Sequence, residues 1–485
     1  MILDQEMTME NNLSLTESLC NEKNINKWRC QIDNLVKLNP NNVQNVKLIL
    51  DRFPHSEKIF KITIPWQKNQ NEREFVLRYL GAWVNNAIMT WGCRNAFISK
   101  EVYSILYEVI EKHYSQALKT LKENSYLNSD IKPIENFKRK YIPKKPSQVL
   151  PTKYQLSVMP IVGIDIGNTT IKLVVIKDGK TIYKERVKTF KGNIKSLKNL
   201  ITSFEEIFNK AKNQFKTFSA IGIGWFGDVR DGKPLMQAHD LEQIEGRNGK
   251  VDVDVWINSF MLKSNAPVVL LGDSEALGKS LPLLWKVPNL YLLIFGTSVG
   301  SAYTNEHMEF ENQFGLISRV VIDMSKNAPP HSATKVKGAM QQYVASRGIL
   351  RAIKFYFSNA SNPISLPINE INKESSGLFL QKWLESKNDC YREFGMKIIN
   401  YLSERISEGI VAISDFYEIK TLGLTGTSLQ GAVGPAIVEM VQLYLNRSKK
   451  GDNIKVEIAP FDLTFGGAIG AAYSAALKLH LKKEN

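Results

Sequence analysis

The sequence has 485 residues, of which 43% are hydrophobic and 23% are charged. At roughly 100–200 residues per domain this length predicts two to four compact units, and the apolar content excludes a largely disordered protein. Lys and Arg number 63 against 48 Asp and Glu, so the net charge is +15. That excess favours anionic partners such as a nucleotide, polyphosphate or nucleic acid.

The amino terminus and the cysteines argue against several further classes. The first residues, MILDQEMTMENN, are acidic and polar, which is atypical of a signal peptide. No window approaches the roughly 18 consecutive apolar residues of a membrane span, so no membrane partner is expected. The four cysteines form no CxxC pair, which argues against a disulfide scaffold or a clustered zinc site. We therefore expect a reducing, cytoplasmic setting.

The first part of the chain predicts a mainly helical domain over residues 26–137, after a polar, Asn-rich tail at 1–25 that we expect to be disordered. Apolar residues recur at helical spacing through 102–121, and large apolar residues crowd 75–91, so each stretch predicts a packed helix. Residues 138–156 form a basic, proline-containing linker, because proline blocks helix continuation and strand pairing. Its charge is typical of a solvated tether, and a phosphate-binding arm is the alternative.

The second part, residues 157–482, alternates strand-like runs with helical stretches. Asp178 and Gly179 predict a hairpin turn between two of these strands. The strand-like runs are 159–167, 171–179, 180–189, 219–227, 266–273 and 290–300. Several of them end in glycine, a pattern typical of an α/β fold whose loops carry the chemistry.

The segment GIDIGNTTIK (163–172) predicts a strand that delivers a carboxylate to a tight turn. Gly167 allows a close approach of the backbone to an anion, and Thr169 and Thr170 offer hydroxyl and amide donors. An aspartate at this point, Asp165, suits a hydrated Mg²⁺. An ordinary hairpin with a polar tip is the alternative interpretation.

A second turn and a second carboxylate follow later buried strands. The turn from Gly296 to Gly300 has small residues that can point amides at phosphate, although such turns are also common as plain strand connections. It is not a P-loop, because no GKS or GKT follows. Asp273 ends a buried strand, where it suits the general base that takes a hydroxyl proton in phosphoryl transfer. A helix N-cap, with Glu275 as a first-turn acid, is the compatible alternative.

The order of these segments resembles the actin/hexokinase-type ATPase superfamily and, within it, the ROK family (repressors, open reading frames and sugar kinases). The resemblance runs from about residue 160 to 480 and includes a late glycine pair in 464–472. GIDIGNTTIK, FGTSVGSAY and GAMQQYVASRGI are similar to motifs of that family. It implies an α/β, two-lobed fold with lobes at approximately 157–270 and 271–482, preceded by the mainly helical domain.

The departures from the family pattern concern the acceptor side. The family's GEIGH motif falls on Gly315–Arg319, where Leu316 and Arg319 replace its Glu and His. The family's zinc loop falls on 332–339, where every cysteine is missing, so no zinc is expected. Polyphosphate glucokinases are similar in lacking that loop. Gly272 replaces an asparagine, so either the acceptor is unusual or the acceptor site is degenerate.

The resemblance implies a kinase that transfers the γ-phosphoryl group of ATP, with polyphosphate as the alternative donor, to a hydroxyl of a sugar or sugar-like small molecule. Under this hypothesis Asp273 is the general base and Asp165 orients Mg²⁺ through water. The remaining candidates bind phosphate (Gly167, Asn168, Thr169, Thr170, Lys172, Gly296, Thr297, Ser298 and Gly300), border the adenosine (Gly426, Thr427, Gly466 and Gly467) or contact the acceptor (Asp240, Glu275 and Arg319).

Two other functions stay open. ROK repressors carry an amino-terminal helix-turn-helix, and the basic, helical first part of this chain fits that class in charge. It is about twice the expected length and shows no recognition-helix pattern, so nucleic acid is a disfavoured partner. A nucleotide-binding pseudokinase would explain the replaced sugar contacts. A homodimer is expected by the resemblance alone.

Overall fold

The computed structural model describes most of the chain, and the elements below lie within the described residues. These are 24–52, 56–66, 70–123, 131–137, 160–190, 196–226, 229–230, 232–234, 248–296, 298–311, 315–331, 334–358, 371–372 and 375–483. The linker predicted at 138–156 lies outside them, as does the predicted tail 1–25 except for its last two residues. Within the described ranges, no helix is both long and apolar enough to cross a membrane.

The amino-terminal region, residues 24–137, combines helices with a sheet. Its elements are α1 (Ile25–Leu38), β1 (Val43–Arg52), β2 (Ser56–Pro65), α2 (Gln70–Trp91), β3 (Asn95–Ile98), α3 (Lys100–Glu123) and β4 (Lys132–Pro133). The two predicted helices are confirmed as α2 and α3. The strands form a four-stranded sheet of order β2-β1-β3-β4, which the prediction of a mainly helical domain did not include.

The first glycine-rich segment lies in a five-stranded sheet. Its strands are β5 (Ile161–Ile166), β6 (Thr170–Lys177), β7 (Lys180–Lys188), β8 (Ala220–Trp225) and β11 (Val268–Gly272), in the order β11-β8-β5-β6-β7. The turn between β6 and β7 is confirmed, because Asp178 and Gly179 have positive φ values of 52° and 70°, as a tight hairpin turn requires. Strands β5, β8 and β11 are parallel, so their carboxyl ends share one edge.

Helices and short elements complete this part of the chain. They are α4 (Leu197–Phe215), β9 (Val229–Arg230), β10 (Lys233–Pro234), α5 (Asn248–Lys263), α6 (Asp273–Leu284) and the carboxyl-terminal helix α11 (Gly466–Lys483). Helix α4 begins where the Ser196 side chain accepts a hydrogen bond from the amide of Asn199, at 3.2 Å. Its buried face, which includes Leu200, Phe204 and Ile207, packs against the sheet at helical spacing.

A second four-stranded sheet has the order β13-β12-β14-β15. Its strands and the helices near it in sequence are β12 (Leu290–Phe295), β13 (Val299–Thr304), α7 (Ala345–Ser358), α8 (Ser376–Leu384), α9 (Asp389–Ile413), β14 (Thr421–Thr425), α10 (Val433–Asn446) and β15 (Lys455–Ile458). Helix α9 begins at a capping Asn388, whose side chain accepts a hydrogen bond from the amide of Cys390 at 2.9 Å.

The chain divides into two compact units that are each discontinuous in sequence. The first unit comprises Met1–Ile142, Leu293–Gly300 and Leu316–Ile458, and the second comprises Pro143–Leu292, Ser301–Gly315 and Ala459–Asn485. This division differs from the expected lobes at 157–270 and 271–482 and from a separate amino-terminal domain. Strand β11 is part of the same sheet as β5, and helices α6 and α11 pack against that sheet. These contacts explain why all three elements belong to the second unit.

Close approach of α11 to the five-stranded sheet depends on small residues. A Cβ atom at Gly163 on β5 would lie 1.8 Å from the carbonyl oxygen of Ala468, and one at Gly222 on β8 would lie 1.9 Å from that of Ala471. A Cβ atom at Gly470 would lie 1.7 Å from the carbonyl oxygen of Ala276 on α6. Each contact is with backbone, which cannot rotate away, so these glycines set the separation of helix and sheet.

We expect Gly163→Ala to lower the free energy of unfolding by about 1–3 kcal/mol, because the added methyl group overpacks a site bounded by backbone. Urea unfolding of the purified chain measures this change. Gly272→Ala is the matched control, because Gly272 has a φ of −65° and a Cβ there would meet nothing within 4 Å. Equal destabilisation by the two substitutions would contradict this account of the packing.

A buried carboxyl group lies where the amino-terminal region meets α9 within the first unit. Glu408 is 5% exposed, pairs with Arg405 at 2.6 Å, and accepts a hydrogen bond from the Asn24 side chain. Burial raises the pKa of Glu408 to about 8, and the neighbouring Glu404 and Asp323 act in the same direction, against the lowering effect of Arg405.

This shift predicts a pH dependence of stability with a definite sign. Between the ordinary pKa of 4.5 and about 8, the native state holds a proton on Glu408 that the unfolded chain releases. The contribution of this group to the free energy of unfolding should therefore fall as pH rises through that window and level off above it.

Urea unfolding in a series of buffers across the window measures the slope, and Glu408→Gln should flatten it. Glu418→Gln replaces a carboxyl group whose side chain is 67% exposed and should leave the slope as it is. A slope unchanged in Glu408→Gln would show that Glu408 does not hold the proton.

Candidate active site

Two predicted aspartates share the carboxyl edge of the sheet in the second unit. Asp165 is the last residue but one of β5. It pairs with Gly224 on β8, and Gly224 pairs with Leu271 on β11. Asp273 follows Leu271 by two residues and begins α6. Strand β8 lies between β5 and β11, so the backbones that carry the two carboxylates stand at the same edge about two strand spacings, or about 9.6 Å, apart. Such edges are where open α/β sheets bind ligands.

The Asp165 carboxylate is fixed on two sides. It is 7% exposed, and its Oδ2 atom lies 3.0 Å from Nζ of Lys172, which stands opposite it on β6. A Cβ atom at Gly467 would lie 2.7 Å from its Cγ atom, so the first turn of α11 passes directly beside the carboxylate. A negative charge at a helix amino terminus is stabilised by the helix dipole. Lys172 and α11 therefore hold Asp165 in one orientation.

The turn after β5 is closed by its own hydrogen bonds. The amide of Gly167 donates to the carbonyl oxygen of Thr170 at 3.0 Å, and the amide of Thr189 donates to that of Thr169 at 3.1 Å. The hydroxyl of Thr189 also donates to the carbonyl oxygen of Gly167. Within the described residues, the buried Oδ1 atom of Asn168 has no hydrogen-bond partner. The predicted phosphate turn is therefore a preformed loop that carries one acceptor atom without a protein donor.

Asp273 is held at the start of α6. Its Oδ1 atom accepts hydrogen bonds from the amide of Ser274 at 2.6 Å and from the Ser274 hydroxyl at 3.2 Å. The N-cap of the helix is Gly272, which makes no side-chain cap bond, so Asp273 stands in the first turn rather than at the cap. Glu275 is a first-turn acid, as its spacing predicted, and forms an ion pair with Lys279 at 2.8 Å.

The second predicted turn lies in the first unit, where two serines secure it. The carbonyl oxygen of Gly296 accepts a hydrogen bond from the Ser346 amide at 3.2 Å and from the Ser346 hydroxyl at 2.9 Å. The Ser428 hydroxyl lies 3.4 Å from the same oxygen. Gly426 has a φ of +126°, and a Cβ there would lie 2.0 Å from the carbonyl oxygen of Phe295. The turn predicted to bind phosphate and the segment predicted to border the adenosine are thus in direct contact within this unit.

Ser346 has no counterpart among the residues that the sequence singled out. It stands in the first turn of α7, 50 residues after the loop that it binds. The segment around it was matched to a family helix, but nothing in its local pattern indicates which loop its hydroxyl meets. The contact of Ser346 with Gly296 could therefore be identified only from the structure.

The remaining candidates fall in different places. Asp240 and Thr297 lie outside the described residues. Ser298 and Gly300 belong to the first unit with Gly296, as does Thr427, which is exposed. Arg319 is also in the first unit, where it is 9% exposed and ends a short 3₁₀ helix. Gly466 lies against Leu277 and Ser280 of α6, so it and Gly467 have a packing role in addition to the predicted adenosine contact.

A hydrogen-bonded turn lies where the sequence predicted the counterpart of the ROK zinc loop. His331 is 4% exposed, and its Nδ1 atom accepts a hydrogen bond from the Thr334 amide at 3.1 Å. Its own amide donates to the carbonyl oxygen of Val336 at 2.7 Å. Among the residues that the structure describes, no group of three or more His, Cys, Asp or Glu side chains gathers to hold a metal ion.

We compared the chain with protein-family models and with solved structures. Residues 161–276 match the family model described as the ROK family. A ROK family glucokinase from Streptomyces griseus, solved with glucose and AMPPNP, superimposes with a TM-score of 0.50 at 14% identity, over 65% of this chain and 99% of that one.

A ROK family transcriptional regulator, described as a homologue of the E. coli MLC protein, superimposes with a TM-score of 0.50 at 10% identity. That match covers 67% of this chain and 80% of the regulator. No curated protein sequence matches the chain. At these identities the likeness shows the fold alone, which is the hexokinase-type ATPase fold of these solved proteins, and the expected α/β fold of that type is confirmed.

Gly467→Ala tests whether the geometry around Asp165 serves a ligand. The added Cβ would displace the carboxylate, and we expect the affinity for Mg·ATP to fall about tenfold, equivalent to about 1.4 kcal/mol. Isothermal titration calorimetry measures the affinity. Gly272→Ala, which meets nothing within 4 Å, serves as the control for a glycine replaced at the same sheet edge. An affinity that Gly467→Ala leaves unchanged would show that this arrangement is only structural.

Proposed function

We propose that this protein is an ATP-dependent kinase that transfers the γ-phosphoryl group to a hydroxyl of a sugar or sugar-like small molecule. The observation that supports it most is the placement of Asp273 and Asp165 at one sheet edge, beside a preformed turn, in a chain with a ROK domain. Fold alone does not define activity, so the proposal depends on these placed side chains.

Asp273 is the proposed general base. Its Oδ1 atom accepts hydrogen bonds from the amide and the hydroxyl of Ser274, which hold that oxygen in place. As the acceptor hydroxyl oxygen bonds to the γ-phosphorus atom, its proton passes to Asp273 and the bond from phosphorus to the bridging oxygen of ADP breaks. The proton then leaves with solvent, and the products are ADP and a phosphate ester.

Phosphate binding is assigned to small side chains and to backbone amides other than those of Gly167 and Gly296, which donate to the carbonyl oxygens of Thr170 and Ser298 within the turns. We propose the turn from Gly167 to Thr170 and the turn from Gly296 to Gly300 for this role, with Lys172 beside Asp165 contributing positive charge. Both turns have hydrogen bonds that hold their shape before a ligand arrives, which lowers the entropy lost on binding. Gly426, Thr427, Gly466 and Gly467 are proposed to border the adenosine.

Magnesium is proposed to enter with the nucleotide. Asp165 is a single carboxylate already paired with Lys172, which fits contact with a hydrated ion through water and does not fit a cage of several protein ligands. The orphaned Oδ1 atom of Asn168 is an acceptor that such a water would satisfy. The ion would offset negative charge on the phosphates, while the protein residues orient them.

The acceptor is proposed to be polar and small, with Asp240, Glu275 and Arg319 as candidate contacts. Arg319 suits an anionic group on the acceptor, because guanidinium pairs with carboxylate and phosphate in a planar, two-bonded geometry. Glu275 is paired with Lys279, so the two would act on an acceptor as one unit. A possible homodimer and a cytoplasmic location stay with the proposal as consequences of the family resemblance.

A substrate panel is the most direct test. We expect ADP release above background with at least one of D-glucose, D-mannose, N-acetyl-D-mannosamine, D-gluconate, myo-inositol and uridine, measured by a coupled assay with ATP and with polyphosphate. Binding of Mg·ATP without any ADP release would favour the pseudokinase instead. DNA binding in a gel shift that persists at physiological salt would favour the regulator.

Asp273→Asn tests the base directly. We expect the transfer rate to fall by about 10²–10⁴-fold while Mg·ATP still binds, because the amide cannot accept the proton but retains the shape of the side chain. Asp178→Asn is the matched control, since Asp178 lies in an exposed hairpin turn with a φ of 52° that asparagine tolerates. Retention of full activity in Asp273→Asn would rule out Asp273 as the base.

A further inference from the structure

Helix α2 of the amino-terminal region carries two buried asparagines. Asn85 is 7% exposed and Asn86 is 1% exposed, on a helix that is otherwise packed through large apolar residues. Asparagine is a poor residue for a helix interior, and a buried amide is unfavourable unless its hydrogen bonds are satisfied. The side-chain amide of Asn85 donates to Oδ1 of Asn86 at 3.3 Å, so the first asparagine supports the second.

The Asn86 side chain bonds both backbone groups of Val321, as a neighbouring β-strand would. Its Oδ1 atom accepts from the amide of Val321 at 2.8 Å, and its Nδ2 atom donates to the carbonyl oxygen of Val321 at 3.1 Å. Both backbone groups of this buried residue are therefore satisfied by a single side chain. The two residues are 235 positions apart in the sequence and lie in the same unit.

The rest of the segment 319–324 is hydrogen-bonded on two sides. One side is the amino-terminal region, and the other is the turn that follows His331. On the side of that turn, the Ile322 amide donates to the carbonyl oxygen of Gly338 at 2.9 Å. On the amino-terminal side, the Ile25 amide donates to the carbonyl oxygen of Ile322 at 3.1 Å, and the Arg78 guanidinium donates to that of Met324 at 3.0 Å.

This segment begins at the residue that we propose as an acceptor contact. The carbonyl oxygen of Arg319 lies 3.4 Å from the side-chain amide of Asn85, and Val321 follows two residues later. The backbone at Arg319 is thus bonded to Asn85, the asparagine that also donates to Asn86. A shift of this backbone would move the guanidinium, and small displacements of an acceptor contact weaken binding and turnover.

We infer that Asn86 is a positioning residue for the acceptor side of the proposed kinase site, and that the amino-terminal region is a brace for the segment 319–324. This inference rests on the proposed function, because it takes Arg319 as an acceptor contact. It assigns the amino-terminal region a part in substrate recognition and does not require it to bind a macromolecule.

Hydrogen–deuterium exchange on the full chain tests the brace without any acceptor. In Asn86→Leu, which removes both bonds and keeps the number and branching of the side-chain heavy atoms, we expect amides of residues 319–324 to exchange about tenfold faster. Asn86→Asp keeps the acceptor for the Val321 amide and should retain part of the protection. Tyr417→Phe is the matched control, because it removes another buried bond to the amino-terminal region, the 3.0 Å bond from the Tyr417 hydroxyl to the carbonyl oxygen of Thr90.

Kinetics with D-glucose, or with whichever panel compound gives the fastest ADP release, test the positioning role. We expect Asn86→Leu to raise KM for the acceptor about tenfold while KM for ATP stays within about twofold, with Asn86→Asp intermediate. Tyr417→Phe should change neither KM. Circular dichroism at the assay temperature establishes that each variant is folded, and Asn86→Asp carries the comparison if Asn86→Leu is not.

Each result decides one question. Faster exchange together with a raised acceptor KM supports the inference. An acceptor KM that is unchanged, or raised equally by Tyr417→Phe, overturns it even where exchange is faster, because the contact would then be structural only. A wild-type chain that phosphorylates no compound of the panel refutes the proposed function, and the exchange result then reports the brace alone.

Discussion

The position of α11 against the sheet is the constraint on which the second unit depends. Backbone of this helix approaches β5, β8 and α6 so closely that Gly163, Gly222 and Gly470 have no room for a side chain. The same approach brings Gly467 against the carboxylate of Asp165. The helix that closes the core thereby also sets the geometry of a candidate catalytic group, so packing and chemistry in this unit are not separable.

Rigid elements carry the candidate site in each unit. Asp165 and Asp273 stand at the ends of buried parallel strands, and Asp273 accepts a hydrogen bond from the Ser274 amide in the first turn of α6. In the first unit, Ser346 and Ser428 both lie against the carbonyl oxygen of Gly296. Groups placed this way need little rearrangement when a ligand binds, which is the physical basis of preorganised catalysis. The net charge of +15 contributes nothing to that placement.

Local patterns predicted the strands that carry the site. The run that ends at Asp165, the Asp178-Gly179 turn and the strand before Asp273 are visible because apolar periodicity and glycine are local signals. Long-range contacts of the candidate residues could not be predicted from these local patterns. Ser346 meets a loop 50 residues away, and Asn86 meets Val321 across 235 residues, and neither side chain differs in sequence from one with a purely structural role.

The amino-terminal region shows a second limit of sequence patterns. Apolar spacing predicted α2 and α3, yet the sheet of β1 to β4 was missed, because strands of this length carry a weaker periodic signal than helices of more than 20 residues. The predicted independence of the region also differs from the division of the chain. Proline and charge predict a linker at 138–156, but a linker does not indicate which part of the chain the preceding region packs against. The amino-terminal region belongs to one unit with residues 316–458.

The discontinuity of the first unit has a consequence for how the protein is made. Its segments are separated by up to the whole of residues 143–292, so its contacts close very long loops of chain. Asn86 can find Val321 only after the ribosome has made both. Until then Trp83 on α2 and Phe60 on β2 also lack Phe416, the aromatic partner that both contact in the folded chain. A newly synthesised amino-terminal half thus exposes a surface that favours aggregation or chaperone binding, and high contact order makes its folding slow.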